Sequence, residues 1–502
     1  MSSLSRFVFG AGVLLAATLS LPAAPVAPLT LQEAVERALA KNYTLKVDAF
    51  DPQIARARLT SAWGRFDPYL EVSYTYSEDA SNVASDPFNP TRPASSLAVQ
   101  DRYEAGVGGS LPTGTRYSVG VWGLNSRGTF NAFTDQFYTF GGVQLEQPLL
   151  RGFGFGANLA SIRIARANRS ISDWDYRQSI IDTVTSVIVA YQDLHTAVLS
   201  LRTAQRSRDL AQGLVSENQR RFQVGSMSEY DVTAARAQAA RREEFILIAE
   251  RAVADQRNYL RSLISDERSF AALQEQLEVV EPPEIGRTVG SSVADDFKQA
   301  LELRPDYQQT RLAIQRGRYS RSFELNQLLP EVNLVGSYGY HGFGSTWKES
   351  RERLQDRDRR SYTAGAVVRI PLTFTEGRGR HRAAKLEVLQ AEAQLQQLEQ
   401  AIMVRVANAA GQIETARKRV AATRFARELA QQTLDAEIKL LRTATGATST
   451  FVVLQYQEQL AAAEVAEFEA RAAEQKAVAE YDRQIGTTLR TWRIQLDPPP
   501  AG

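Results

Sequence analysis

Residues able to do chemistry are few and scattered along this chain. The three histidines, His195, His341 and His381, fall in a helical run, a loop and a helix start. No two of them stand at the spacing of a metal-ligand pair. Cysteine is absent, which removes disulfides, thiolate metal sites, cysteine nucleophiles and a lipidated N-terminal cysteine. Carboxylates are spread among Arg and Gln, as on solvated helix faces. No phosphate loop ends in Lys and Ser or Thr, and there is no nucleophile elbow. Arg151-Gly152-Phe153-Gly154-Phe155-Gly156 lies between a strand and a helix, where a dinucleotide fingerprint would stand. Its neighbours do not alternate as strand and helix, and no acidic residue ends a second strand about 20 positions on. It reads as a flexible corner. The basic run from Arg351 to Arg360 is interleaved with acids and reads as a loop. The expectation is no enzyme, no cofactor and no resident metal.

The 502 residues include 59 basic and 57 acidic side chains, a formal balance of +2. That balance gives no strong field toward nucleic acid or an anionic surface. Hydrophobic residues make up 43%, a folding composition. Residues 1–27 read as an export signal: Arg6 supplies the positive region, Phe7 to Leu21 is apolar, and small residues and prolines follow. The apolar part, about 15 long, is short for a bilayer span. We find no other apolar run near 20 residues, so an exported chain that enters a membrane must do so as strands.

The longest element is a helical run from about Ala157 to Arg221. It breaks at Gln223-Val224-Gly225-Ser226-Met227-Ser228 and returns from Glu229 to about Leu263. Val184, Tyr191 and Val198 share one seam; Trp174, Ile181 and Ile188 form a second row seven apart, the spacing of a coiled coil. At about 1.5 Å per residue the outgoing run is roughly 100 Å long, beyond the core of one compact domain. The short polar turn obliges the two arms to pack on each other.

Ahead of it, Leu29-Thr30-Leu31-Gln32-Glu33-Ala34 opens a helix with a capping box at Thr30 and Glu33. The helix runs through Ala62, with Pro52 expected to kink or break it. From Pro68, Leu70, Val72, Tyr74 and Tyr76 alternate with Glu71, Ser73, Thr75 and Ser77, as a strand between lipid and water requires. Asp79 to Asp101 reads as a long loop. Alternation resumes over Tyr103 to Leu111 and Tyr117 to Val121, joined by the turn Pro112-Thr113-Gly114-Thr115, and again over Phe137 to Gln147.

The order then repeats. Pro330 stands 262 positions after Pro68, and Val406, Ile413 and Val420 stand 222 after Val184, Tyr191 and Val198. Further strands are expected over Val332 to Tyr340 and Tyr362 to Ile370, separated by the charged loop Trp347 to Arg360. A second long helix reaches Arg442, breaks at Thr445-Gly446-Ala447-Thr448-Ser449, and returns to about Gly486. We divide the chain into a first repeat at 28–264, a connector at 265–292, a second repeat at 293–488 and a tail at 489–502.

Leu29 to Ala34, Asn42, Leu303-Arg304-Pro305-Asp306, Gln147-Pro148-Leu149-Leu150-Arg151-Gly152 and the two helical turns, taken in order, resemble the TolC family of outer-membrane efflux proteins. The resemblance covers essentially the whole mature chain. It implies a membrane α+β fold and a homotrimer in the Gram-negative outer membrane. Each subunit would give four strands to a shared 12-stranded β-barrel, continued by a long α-helical coiled-coil tunnel through the periplasm and built from an internal duplication. It also implies the exit duct of a tripartite efflux or type I secretion system. The partners would be outer-membrane lipid, a periplasmic adaptor (membrane fusion) protein and an inner-membrane pump, proton-driven or ABC. In the family the helical turns meet the adaptor; here those are Val224, Gly225, Ser226 and Ser228, and Gly446, Ala447, Thr448 and Ser449. The family's closed gate uses acids just past the turns. Asp231 matches one of them, whereas Thr448, Val452 and Gln455 stand where the family pattern has an arginine and two aspartates. We therefore take Asp231, Val452 and Gln455 as the candidate constriction. The hairpin from Tyr103 to Leu124 exceeds the family pattern; it would enlarge the barrel or lie outside as an extracellular flap, and we favour the flap. The competing readings are an exported coiled-coil scaffold or adhesin without a pore, and a periplasmic enzyme.

Overall fold

The computed structural model describes residues 28–82, 88, 95–270, 277–283, 292–442 and 449–495. The expected signal segment, Gly446, Ala447, Thr448 and the end of the tail lie outside them. The described chain opens with α1 (Leu31–Lys41), α2 (Tyr43–Asp48) and α3 (Phe50–Trp63), followed by β1 (Tyr69–Asn82), β2 (Ser95–Ser110), β3 (Arg116–Gly128) and β4 (Gln136–Pro148). Next come α4 (Gly154–Asn158), α5 (Ala160–Gln223) and α6 (Glu229–Ile264). After α7 (Val293–Leu303) and α8 (Pro305–Gln327) the chain enters β5 (Glu331–Gly344), α9 (Trp347–Gln355) and β6 (Arg360–Arg369). It closes with α10 (Thr375–Arg442), α11 (Thr450–Ile485) and α12 (Thr488–Thr491).

The capping box forms: the Glu33 N–H donates to Thr30 Oγ1 at 3.2 Å and the Thr30 N–H to the Glu33 carboxylate at 3.1 Å. The first helical stretch breaks at Asn42 and Ala49 rather than at Pro52. Asn42 is buried and its side-chain oxygen accepts from the Leu45 N–H at 3.2 Å, which caps α2. Pro52 sits in the first turn of α3, where its missing N–H would have had no intrahelical partner.

All six strands form one antiparallel sheet in chain order, β1-β2-β3-β4-β5-β6. All six expected strands enter this one sheet, so the β2–β3 hairpin lies within it instead of forming the flap that the sequence reading favoured. The register explains why. Leu70 pairs Val107, which pairs Val119, which pairs Val143, which pairs Tyr338; Val72, Ala105 and Val121 form the next row. The hairpin thus continues one apolar face, and a one-residue slip would invert it. Its turn is also tied down. The Gly154 N–H donates to the Thr113 carbonyl at 2.9 Å, and Gly114, at φ +95°, comes so close to the Gly152 carbonyl that a Cβ would sit 2.3 Å from that oxygen. The expected loop from Asp79 to Asp101 is partly strand, since β1 and β2 reach Asn82 and Ser95. The expected charged loop after Trp347 contains a helix, α9.

The chain divides into two units, one drawn from Met1–Ala40, Val187–Glu284 and Phe425–Ala472, the other from Lys41–Ser186, Ile285–Arg424 and Ala473–Gly502. The second holds the sheet and a helical core of Ala300, Ile402, Val406, Ile413, Val478, Tyr481 and Ile485. Arg304 closes that core from above α8: its guanidinium bridges Asp306 at 2.7 Å and donates to the Gln484 carbonyl at 2.8 Å. The first unit packs Ala211 and Ala235 against Leu454, and Leu434 against Val453 and Leu460. The predicted seam residues Ile181, Val184, Ile188 and Tyr191 are buried, as are Val406 and Ile413. One helix is an exception to the expectation of no further long apolar run. By length and composition, an 18-residue window of α5 could cross a membrane, but 44% of it is buried inside the protein.

Tyr191 organises the first unit. Its hydroxyl lies 2.8 Å from the Leu29 carbonyl and 2.7 Å from the Val280 carbonyl, and accepts from the Val280 N–H at 3.1 Å. Leu29 also forms a parallel bridge with Val279. Burial pushes the phenol up to about 12, so it stays a donor throughout the physiological range. Tyr191→Phe removes one donor and one acceptor from a dry site. We expect a loss of about 1–3 kcal/mol, read as a lowered thermal midpoint of the purified protein.

Candidate functional site

The sheet has two chemically distinct faces. One carries Leu70, Val72 and Tyr74 on β1, Val107 on β2, Val119 and Val121 on β3, Val143 and Leu145 on β4, Leu334 and Tyr338 on β5, and Tyr362 and Val368 on β6. All of these are exposed, Leu70 and Val72 by 73% and 71%. A continuous apolar face on six strands far exceeds the patches that a soluble monomer leaves bare. The opposite face carries Glu71, Ser73 and Thr75, Ser118, Gln144 and Glu146, Ser337 and Thr363. There a concavity of about 610 Å³ is lined by Arg65, Asp67, Tyr69, Arg116, Gln144 and Glu146 among others. Arg116 forks onto Glu146, with Nε at 3.0 Å from Oε2, and Arg369 meets Glu331 at 2.8 Å. Arg116 with Glu146 and Arg369 with Glu331 are thus two ion pairs on this face.

The first helical turn is built as its residues imply. Gly225 takes φ +75° with open space around the missing Cβ, and the Ser226 N–H returns to the Arg221 carbonyl at 2.9 Å. Ser228 caps α6, accepting from the Asp231 N–H at 3.2 Å, and its hydroxyl donates to the Asp231 carboxylate at 2.6 Å. Asp231 is thus engaged at a helix N-terminus, which its charge favours. Ser449 plays the matching part for α11, accepting from the Val452 N–H at 3.4 Å. Among the described residues no hydrogen bond or ion pair joins Asp231 to Gln455. Val452 is half-buried and Gln455 exposed. Tyr230 and a set of polar ties escaped the sequence reading, whereas Val224 was among its candidates. Val224 and Tyr230 flank the turn, 78% and 80% exposed; an aromatic in the first turn of a helix, off any heptad seam, was the available signal for Tyr230.

The second missed feature is a set of polar ties onto α11. Arg242 on α6 is buried, donates to Ser207 Oγ at 2.6 Å and to the Leu454 carbonyl at 3.0 Å, and stands 3.9 Å from Glu458. Burial lowers its guanidinium pKa below the ordinary value, opposed by Glu458, and its Nε has no hydrogen-bond partner among the described residues. Arg206 and Thr203 both reach Glu464, at 3.4 and 3.1 Å, and Thr450 contacts Asn218 at 3.3 Å. In sequence Arg242 belongs to the run Arg241-Arg242-Glu243-Glu244, which looks like a solvated face and gives no sign of burial.

The histidines stay apart. His195 is half-buried on α5, where burial pushes its imidazole below the ordinary value; His341 lies 5.0 Å from the Phe140 ring on the sheet, and His381 is on α10. Among the described residues no cluster of His, Asp or Glu could hold a metal ion.

An exposed apolar sheet face backed by a polar one, in a chain of long paired helices, defines an outer-membrane channel protein. The chain belongs to the outer membrane efflux protein family, whose model matches residues 34–265 and 297–487. It is similar to the outer membrane efflux protein BepC of Brucella suis, at 25% identity over 329 residues, 65% of this chain and 67% of that protein. Among solved structures it resembles the CmeC outer membrane channel of Campylobacter jejuni. The TM-score is 0.68 at 16% identity, over 91% of this chain and 86% of that one. It also resembles VceC of Vibrio cholerae, with a TM-score of 0.65 at 18% identity, over 91% and 96%. Its place is the Gram-negative outer membrane with an extension into the periplasm.

Arg242→Ala strands Ser207 and the Leu454 carbonyl in a dry site, and we expect it to destabilise by about 2–4 kcal/mol. Arg242→Met fills the same space without a charge and is expected to stay within about 1 kcal/mol of the parent. Denaturant titration of both variants checks the contrast.

Proposed function

We propose that this protein is the exit duct of a tripartite efflux or type I secretion assembly, conducting cargo passively across the outer membrane. The observation that carries the reading is the sheet: an exposed apolar face, a polar opposite face, and outer edges of β1 and β6 that pair with no other strand among the described residues. In hydrocarbon such edges must be paired. β1 and β6 run antiparallel, so β6 of one copy can meet β1 of the next and close a ring of even strand number. We take the assembly to be a homotrimer. Three copies of a six-stranded sheet then make eighteen strands, a count at which barrels enclose a water-filled channel. The recurring order of elements is read as an internal duplication over 28–264 and 293–488, joined by the segment 265–292.

On this reading the turn carrying Val224, Gly225, Ser226 and Ser228, together with the second turn ending at Ser449, meets a periplasmic adaptor that couples the duct to a proton-driven or ABC pump. Exposed Val224 and Tyr230 supply the apolar contact. Asp231, Val452 and Gln455 line the narrowest passage, where Asp231 is the lone acid.

The absence of native cysteine makes the assembly easy to test. Single cysteines at Ser73, Thr75 or Ser77 of β1, combined with one at Ser361 or Thr363 of β6, are expected to cross-link between chains into a three-chain ring, and planar bilayers to show steady conductance. Purely intramolecular cross-links, or a soluble periplasmic monomer, would favour a scaffold without a pore. Gly225→Trp, at a φ that L side chains rarely adopt, is expected to leave membrane insertion and conductance intact while export in cells drops. Unchanged export would remove this turn from the docking role.

A further inference from the structure

The charged run after Trp347, expected as a loop, begins with the helix α9. α9 lies on the apolar face of the sheet, over a floor cleared by glycine. A Cβ at Gly342 would fall 1.8 Å from the Ser350 carbonyl oxygen. One at Gly344 would fall 2.7 Å from the Ser350 nitrogen, and one at Gly123 2.8 Å from the Trp347 ring. Trp347 packs on Tyr103 and Phe137, with ring centroids at 5.8 and 6.3 Å, and Ser350 Oγ meets Thr139 Oγ1 at 3.0 Å. The helix is therefore seated, with Trp347, Ser350 and Leu354 inward and its charged residues outward.

Its position along the sheet follows from topology. In the meander, the β1–β2, β3–β4 and β5–β6 connections share one end, whereas the chain passes to and from its long helices at the other. With the helices in the periplasm, α9 stands at the outer surface, on the lipid side. Within α9, Glu349 is paired with Arg353, and Glu352 with Lys348. Arg351, Arg357, Arg359 and Arg360 are exposed and have no side-chain hydrogen bond or ion pair among the described residues; Asp356 and Asp358 are equally exposed and unpaired. Four cations against two anions leave a local surplus of positive charge. Arg360 begins β6 directly opposite Tyr340, and Tyr362, two residues on along the same face, pairs Tyr338. Arg360 thus joins the face that carries Tyr340 and Tyr338, at the margin of an apolar belt. Aromatic rings settle at that level of a bilayer, and a guanidinium fork matches a phosphate.

We propose that α9 and the turn into β6 form a docking surface for the phosphorylated head groups of outer-leaflet lipid. The inference rests on the sheet spanning the membrane, as proposed above. The test uses the assembled protein in lipid nanodiscs of zwitterionic phosphatidylcholine alone or mixed with anionic phosphatidylglycerol, and counts phosphatidylglycerol and phosphatidylcholine retained per chain after a detergent wash. The parent is expected to melt higher in the mixed discs and to keep phosphatidylglycerol selectively. Joint replacement of Arg351, Arg357, Arg359 and Arg360 by Gln is expected to lower that retention at least about tenfold, with conductance unchanged. Trp347→Ala keeps every arginine but loosens the seat, and is expected to lose retention as well. Equal melting of the parent in both discs overturns the proposal. So does undiminished retention in either variant, or release of the lipid by inorganic phosphate at physiological concentration. Should the parent conduct normally yet show no lipid preference, this inference alone falls. Should it fail to insert at all, the duct reading falls with it.

Discussion

Backbone amides and carbonyls in hydrocarbon have no water to turn to, and each unpaired group there costs several kcal/mol. That constraint governs how this chain uses its sequence. Five ladders satisfy the interior of the sheet from Tyr69 to Arg369. The cost is concentrated at two outer edges, those of β1 and β6. The side chains conform to the same requirement, with Leu, Val and Tyr on one face and Ser, Thr, Gln and paired charges on the other. A sheet of this kind is incomplete as a monomer in either solvent: water penalises the apolar face, and lipid penalises the edges.

The β2–β3 hairpin shows how local contacts settle a question of architecture. A flap would carry polar residues on both faces and would need no tie to the rest of the sheet. Instead Val107 and Val119 extend the row between Leu70 and Val143, and the turn at Thr113 and Gly114 is bonded to the glycine corner at Gly152 and Gly154. Asn158 fixes that corner in turn, donating to the Gly152 carbonyl at 2.7 Å and the Gly154 carbonyl at 2.9 Å. The glycine-rich stretch that superficially resembles a nucleotide loop is thus a joint where a strand end, a hairpin turn and a helix start meet.

Much of this was legible in the sequence because periodicity reports burial. The seam through Val184 and Tyr191, the alternating strands and the turn at Gly225 all follow from spacing alone. What was not legible depended on partners distant in the chain. Nothing near Tyr103 says that its strand pairs with β1 and β3 at once. The helix α9 is too short and too charged to show a convincing apolar stripe until Gly123, Gly141 and Gly342, from three different strands, provide its seat. Arg242 looks solvated because the groups that bury it, Ser207 and Leu454, lie 35 and 212 positions away. Pro52 misled in the other direction, since a proline in a first turn starts a helix as readily as it breaks one.

If the chain forms the proposed duct, the charges along its wall set how it would discriminate between solutes. Asp231 already receives the Ser228 hydroxyl and stabilises the start of α6, and Val452 and Gln455 bring no charge to the return helix of the second half. In the proposed ring each copy brings Asp231, partly occupied by its own cap, with Glu229 beside it in the first turn of α6. The polar face of the sheet, by contrast, carries Arg116 with Glu146 and Arg369 with Glu331, pairs that cancel in net charge while keeping the wall wettable. On the proposed duct reading, choice of cargo then falls to whatever loads the conduit from below.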